Sequence, residues 1–225
     1  MSLGIIGGTS LLFTDLPPLE KQVVSTPFGR VEVLAGDVTI LLRHQGNIPP
    51  HRINFCANMA ALAVLGVDRA ISFGSSGSLK TEITPGSIMV PDDYMSLSDI
   101  PSIHNHAISH VMPVISHKLI RELGVQFPHA RVGGTYVQTR GPRIETVAEV
   151  AALAKFADIV GMTVASEATL ACELGIEFAA LCTIDNYANG LGTEVLSYEH
   201  IVETARSFRE RTGEIVTTII EKMGG

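Results

Sequence analysis

Leu3-Gly4-Ile5-Ile6-Gly7-Gly8-Thr9-Ser10 is the stretch on which the fold reading turns. A short, unbroken apolar run that stops at paired glycines reads as a buried strand delivering a tight turn. Outward from it, Val23-Val24, Val31 to Leu34 and Val38 to Leu42 read as further strands, broken at Gly29 and at Gly36-Asp37. Asn54 to Leu65 turns helical and Ala-rich, with Gly66 as its stop. Arg69 to Phe73 is another strand, expected to end in a small-residue loop, Gly74-Ser75-Ser76-Gly77-Ser78. Ile88-Met89-Val90 is a strand closed by Pro91, and Leu119 to Leu123 is helical. Arg131 to Gln138 reads as one strand with a kink at Gly133-Gly134. A helix is expected from Ile144 to Phe156, a strand end at Ile159 to Met162, and a helix from Ser166 to Leu174 with Ser166 as N-cap. Phe178 to Ile184 is a strand, and Tyr198 to Met223 has the apolar spacing of one long amphipathic helix. Strands alternating with helices imply an α/β fold: a mixed, mostly parallel central sheet flanked by helices. No repeat, linker or low-complexity tract divides the chain, so residues 1–225 are expected to form a single domain.

The composition narrows the function. The chain has 225 residues, 46% hydrophobic and only 17% charged, enough for one sizeable core. Its formal net charge of -7 argues against a nucleic-acid binder, which needs a basic face to meet phosphates. It leaves room for a small anion, because a few donors in one pocket suffice. No apolar run reaches the roughly 18 residues a membrane span needs, and no basic n-region precedes the first apolar stretch. The 3 cysteines, Cys56, Cys172 and Cys182, lack metal-ligand spacing and an odd number builds no complete disulfide framework. The expectation is a cytoplasmic protein with reduced thiols.

Several strand ends carry polar chemistry. Gly7-Gly8-Thr9-Ser10 offers backbone N–H groups and a hydroxyl to an anion, although the same loop also serves as a plain tight turn. It is neither a Walker loop nor a GxGxxG fingerprint. Arg43-His44 follows an apolar strand. It reads either as a forked donor with a second contact or as a solvated strand end; in both readings Arg43 lies outside the core. Gly74 and Ser75 stand at a third strand end, and ligands of α/β sheets gather at the carboxyl ends of strands. Their convergence on one anion is more informative than any single member. Glu145 falls in the expected first turn of a helix, where the dipole alone accounts for a carboxylate. Met162-Thr163 ends one strand, with Glu167 a turn further on, and Asp185-Asn186 ends another. His104, His106, His110 and His117 lie in an irregular stretch. Their spacing fits no closed metal site, and they read as solvated or interface residues. Cys182, inside an apolar strand, reads as a small core residue. No Ser–His–Asp order and no nucleophile elbow is present.

Taken together, Gly4 to Thr9, Arg43-His44 with Pro49 to Asn54, Gly77-Ser78-Leu79, Pro85 to Ile88, Gly141 to Glu149 and Asp158 to Thr163 resemble the trimeric purine nucleoside phosphorylase and methylthioadenosine phosphorylase family. The resemblance runs in order from residue 4 to beyond residue 190. It implies phosphorolysis: phosphate attacks C1′ of a purine nucleoside and releases the base and a ribose 1-phosphate. It places phosphate ligands at Thr9, Arg43, His44, Gly74, Ser75 and Thr163, with Met162 against the ribose and Ile144 over the base. It implies no metal and no cofactor beyond phosphate as co-substrate, and purine nucleoside and phosphate as the partners. It also implies a homotrimer or a dimer of trimers, with His110 reaching a neighbour's site. The text departs from the family at Arg43-His44-Gln45-Gly46-Asn47, at the serines before Gly77 and at Ser166-Glu167.

The same resemblance reads the base from Asn186 and Ala188. Members acting on 6-oxopurines place Asn at the first of these and pair it with Glu, here Glu145; adenine-cleaving members place Asp at both. An amide donates to O6 or N7 and a carboxylate accepts from N1–H. Asn186 and His44 are therefore the expected catalytic groups. A one-residue shift would instead put Asp185 in the base site and favour methylthioadenosine. Outside this class, a nucleoside hydrolase or a binding module remain as alternatives, and base release with and without phosphate separates them.

Overall fold

The computed structural model of the chain describes residues 2–192, 203–204 and 206–224. Its centre is one eleven-stranded mixed sheet. The first half of the chain supplies β1 (Leu3–Gly7), β2 (Glu20–Thr26), β3 (Gly29–Ala35), β4 (Thr39–Leu42), α1 (Phe55–Val64), β5 (Arg69–Ser78), β6 (Ile88–Val90) and β7 (Asp93–Ser96). The second half supplies α2 (His117–Gln126), β8 (Arg131–Val132), β9 (Thr135–Gln138), α3 (Val147–Leu153), β10 (Ile159–Gly161), α4 (Val164–Leu174), β11 (Glu177–Tyr187) and α5 (Arg209–Met223). The path runs β2-β3-β4-β1-β5-β10-β9-β7, with β11, β6 and β8 branching from β5. The central pairings β1–β4, β1–β5 and β5–β11 are parallel, while β2–β3, β3–β4, β10–β5 and β11–β6 are antiparallel.

Residue alternation decides which helix covers which face. Ile6, Leu41, Phe178, Ala180 and Cys182 pack with α1 and α4. Their neighbours Leu3, Ile5, Ile40, Ala179 and Leu181 pack with α2 and α5 on the other side. Both faces of β1 and β11 are thus buried, which is why those strands are written as unbroken apolar runs.

The elements depart from the sequence expectations in specific places. Gly74 to Ser78 is not a loop: it continues β5, hydrogen-bonded to β11 and β10. Small residues can extend a strand when neighbours on both sides supply ladder partners. Arg131 to Gln138 is two strands separated at Gly133-Gly134, because β8 pairs with β6 while β9 joins β7 and β10. The helix after Gly141-Pro142 starts at Val147, where Thr146 and Glu149 form a capping box; Glu145 therefore precedes it and is not in its first turn. In α4 the N-cap is Thr163 and Ser166 lies inside the helix, with its N–H bonded to the Gln138 side chain. The long carboxy-terminal helix is observed as α5 from Arg209; its expected start at Tyr198 lies outside the described residues. No helix among the described residues is long and apolar enough to cross a membrane.

Candidate active site

The carboxyl ends of β1, β4, β5, β10 and β11 converge on one cleft of about 440 Å³. Thr9, Arg43, His44, Ser75, Ile144, Glu145, Met162, Thr163, Asn186 and Ala188 all line it. One residue expected in this chain's own cleft, Gly74, does not. Gly74 is buried in β5, and a side chain there would meet Cys182 Sγ at 2.9 Å and Val164 Cγ2 at 3.1 Å. The cleft begins one residue later, at Ser75. His110, expected at a neighbour's site, is exposed and lies outside the cleft of its own chain.

Arg43 follows β4 yet is only 3% exposed, so the expectation that it lies outside the core fails. Its Nε donates to Glu167 Oε1 at 2.6 Å and its Nη2 to Glu167 Oε2 at 3.0 Å, a two-pronged ion pair. Nη2 also donates to Ser72 Oγ at 2.8 Å, and Ser72 donates on to Glu167 Oε2 at 2.6 Å. Nη1 donates to the Phe73 carbonyl at 2.8 Å. The second N–H of Nη1 has no partner among the described residues. Gly8 explains how the group fits: a Cβ there would stand 2.3 Å from Nη1, so the turn after β1 needs a residue without one. Gly8 thus serves close approach to a guanidinium, and Gly7 close packing on Leu11, as much as display of N–H groups. Glu167, to which the sequence alone assigns no role, is the residue that holds Arg43 in place. Its signal was a carboxylate on the otherwise small and apolar start of α4, a position that demands a buried cation.

His44 is half-buried. Its Nδ1 lies 2.8 Å from the Ile48 carbonyl. A carbonyl only accepts, so Nδ1 carries the proton and Nε2 is left with a lone pair. Burial lowers the pKa of His44; the bond to Ile48 opposes this and the Arg43 charge reinforces it. The ring is therefore neutral at pH 7.

Thr163 occupies the N-cap of α4, but its hydroxyl makes no cap hydrogen bond. The backbone N–H groups of Thr163 and Val164 are taken instead by the Tyr136 hydroxyl, at 3.3 and 3.4 Å. This leaves the Thr163 hydroxyl, like Thr9, to the cleft.

Glu145 is 7% exposed and accepts a hydrogen bond from the Thr139 hydroxyl at 2.5 Å. Asn189 holds the Glu145 backbone carbonyl at 2.9 Å. Asn186 Nδ2 donates to the Tyr187 carbonyl at 2.7 Å, which fixes the orientation of the amide and leaves its second N–H and its oxygen for a ligand. The register between β11 and β5 shifts between Ile184 and Asn186, so Asp185 is the extra residue of a bulge. Asp185 is 5% exposed and receives the Ser75 hydroxyl, while Asn186 lines the cleft. Burial pushes the Asp185 carboxyl up to about 6, against the opposing hydrogen bond from Ser75. Cys182 is fully buried and its thiol is pushed up to about 12, as befits a core residue.

One part of the wall therefore offers hydroxyls, a neutral imidazole and a guanidinium edge, suited to an anion. Another part of the wall offers an amide and a buried carboxylate, suited to a flat heterocycle carrying both acceptors and a donor. Met162 and Ile144 supply apolar surface along the cleft.

Comparison with known proteins agrees in extent and kind. The model of the phosphorylase superfamily matches residues 2–221. A protein of Archaeoglobus fulgidus named "Probable 6-oxopurine nucleoside phosphorylase" is 41% identical, covering 98% of this chain and 96% of that protein. One of Methanocaldococcus jannaschii, named "Probable S-methyl-5'-thioinosine phosphorylase", is 32% identical over 97% of this chain and 91% of its own length. Among solved structures, a methylthioadenosine phosphorylase of Schistosoma mansoni in complex with adenine superposes with a TM-score of 0.86. It is 23% identical, covering 99% of this chain and 92% of that one, a likeness of fold.

Proposed function

This chain belongs to the phosphorylase superfamily, and from that membership and the two parts of its cleft wall we propose that it cleaves purine nucleosides by phosphorolysis, with 6-oxopurines as the bases. The observation that carries the base assignment is the bulge in β11, which gives the cleft Asn186 and turns Asp185 to Ser75. The relatives named for 6-oxopurine nucleosides and for methylthioinosine support the same base type. A methylthioadenosine phosphorylase would be favoured by an Asp facing the base, and here that carboxylate faces a serine.

Phosphate lies between Thr9, His44, Thr163 and the Nη1 edge of Arg43, beneath C1′ of the sugar. Neutral His44 accepts from a singly protonated phosphate through Nε2, and the two threonine hydroxyls donate. Because Glu167 already balances Arg43, the site holds phosphate mainly by directed hydrogen bonds. As the glycosidic bond breaks, the sugar gains oxocarbenium character and negative charge moves onto the purine. The free Asn186 N–H then donates to O6 or N7, and Glu145 accepts from N1–H. Interactions that strengthen as charge develops act on the rate as well as on binding. Phosphate is itself the nucleophile, so no metal or prosthetic group enters the reaction.

The substrates reach the site in an assembly. The stretch 97–114 leaves Ile108 96%, Met112 81% and Ile100 64% exposed, an apolar surface suited to a second copy of this chain. His110 sits in that stretch, and in the homotrimer or dimer of trimers proposed here it contributes to a neighbour's cleft. Cys56, Cys172 and Cys182 are unpaired, which suits a reducing, cytoplasmic setting.

The deciding experiment measures base release from inosine, guanosine, methylthioinosine and methylthioadenosine, with and without phosphate. Phosphate-dependent release from the 6-oxopurine nucleosides is expected. Release independent of phosphate would make the chain a hydrolase, and preference for methylthioadenosine would overturn the base assignment. Asn186→Asp should lower activity on inosine roughly 10-fold to 100-fold, the effect of a mispaired buried group.

A further inference from the structure

Asp185 is a buried carboxylate that no step above uses. It forms no salt bridge among the described residues, and it accepts the hydroxyl of Ser75, which stands half-buried in the cleft wall. A carboxylate removed from water without a cation is destabilising, and here it stands in the bulge beside the base-site amide, where the strand register is interrupted to accommodate it. A serine hydroxyl has one donor and two acceptor lone pairs. With its proton directed at Asp185, Ser75 can present only lone pairs to the cleft.

We propose that Asp185 is a positioning residue which holds the Ser75 O–H and so makes Ser75 an acceptor for a hydroxyl of the bound substrate. The inference rests on the phosphorylase reading and adds a specificity element to it. Two substrate groups share the required chemistry: a hydroxyl of the pentose and the P–OH of singly protonated phosphate. The negative charge of Asp185 repels a phosphate anion, so the pentose is favoured. A substrate lacking that hydroxyl leaves the Ser75 lone pairs unpaired, which lowers its binding relative to the ribonucleoside.

Ser75→Ala, Ser75→Thr, Asp185→Asn and the double variant Ser75→Ala/Asp185→Asn test this. In Asp185→Asn the amide can donate to Ser75, freeing its O–H to point into the cleft as a donor. The expected result is a rise of about 10-fold in KM for inosine in Ser75→Ala and in Asp185→Asn, with kcat within about 2-fold of wild type. The double variant should be no worse than either single one, and Ser75→Thr should restore the wild-type KM. Either 2′-deoxyinosine or 3′-deoxyinosine, whichever lacks the hydroxyl concerned, should show no difference between wild type and Ser75→Ala. A rise in KM for phosphate with that for inosine unchanged supports the pair with P–OH as the donor. Unchanged KM for both substrates in Ser75→Ala, or additive effects in the double variant, overturns it. If Asp185→Asn does not fold, the Ser75 variants decide alone. Calorimetric titrations with inosine and with inorganic phosphate need no turnover. They therefore judge the pair even if wild-type enzyme releases no base, an outcome that would overturn the phosphorylase reading separately.

Discussion

At the scale of single residues, Arg43, proposed above to hold phosphate, is also a structural group. It is 3% exposed and its charge is balanced by Glu167, itself 1% exposed. Removing one partner of such a pair leaves an uncompensated buried charge, which typically destabilises by about 3–5 kcal/mol. Arg43→Ala should therefore lower stability by that order in urea unfolding as well as impairing phosphate use. A variant within about 0.5 kcal/mol of wild type would show that the pair is not holding the strand ends together. Asp185 leaves a different mark. Its folded pKa, about 6, lies above its unfolded value of 3.8, the reverse of a salt-bridged aspartate. Between pH 3.8 and about 6 the unfolded chain gives up this proton while the folded chain keeps it. Stability at this site therefore falls as pH rises through that window and is level above it. The stability of Asp185→Asn relative to wild type should climb by on the order of 2–3 kcal/mol from pH 4 to pH 7. Parallel pH profiles for the two proteins would refute the burial argument, since all other groups cancel in the difference.

At the scale of elements, the cleft is assembled from strand ends whose positions depend on one another. β10 delivers Met162 and Thr163, and the turn before α3 delivers Ile144 and Glu145. The two meet at Gly141, whose φ of 62° belongs to the left-handed region and whose missing Cβ makes room for Met162 Sδ, 2.4 Å from where it would be. Gly141→Ala combines an unfavourable backbone with a clash against the residue proposed to pack on the sugar. It should raise the KM for nucleoside more than that for phosphate, because Thr9 and His44 lie on other elements. Equal effects on both substrates in steady-state kinetics would indicate a general loss of structure instead. α3 itself should be little disturbed, because its start is held by the Thr146–Glu149 capping box and by Arg143 on Glu149, whose pKa is drawn down to about 2.

At the scale of the molecule, the sheet is covered on both faces, yet the segment between β7 and α2 leaves large apolar side chains outside. Ile108 is the most exposed of them, at 96%, so a charge there costs the isolated chain little. In an assembly that buries this surface the same charge is unpaired. Ile108→Glu should retain a wild-type circular dichroism spectrum while shifting sedimentation toward smaller species and lowering activity in step. An unaltered sedimentation profile would remove this stretch from the interface.

Local reading of the amino-acid order determined a good deal here. Apolar runs ending at glycines located most of the strands, and their alternation with helical periodicity implied a helix-covered mixed sheet. The polar residues at the strand ends were legible for the same reason: Thr9, Arg43-His44, Thr163 and Asn186 each interrupt an apolar pattern, and all of them line the cleft. What the local pattern left open was settled by contacts between residues far apart. Arg43 became a core residue because Glu167, 124 positions away, meets it. Gly74 to Ser78 became strand because β10 and β11 lie on either side. That Asn186 and not Asp185 lines the cleft came from a register shift of β11 against β5. Periodicity reports which face a residue prefers, but a bulge or an ion pair exists only once two separate segments are side by side. The tertiary structure alone therefore decided which carboxylate faces the serine and which amide lines the cleft.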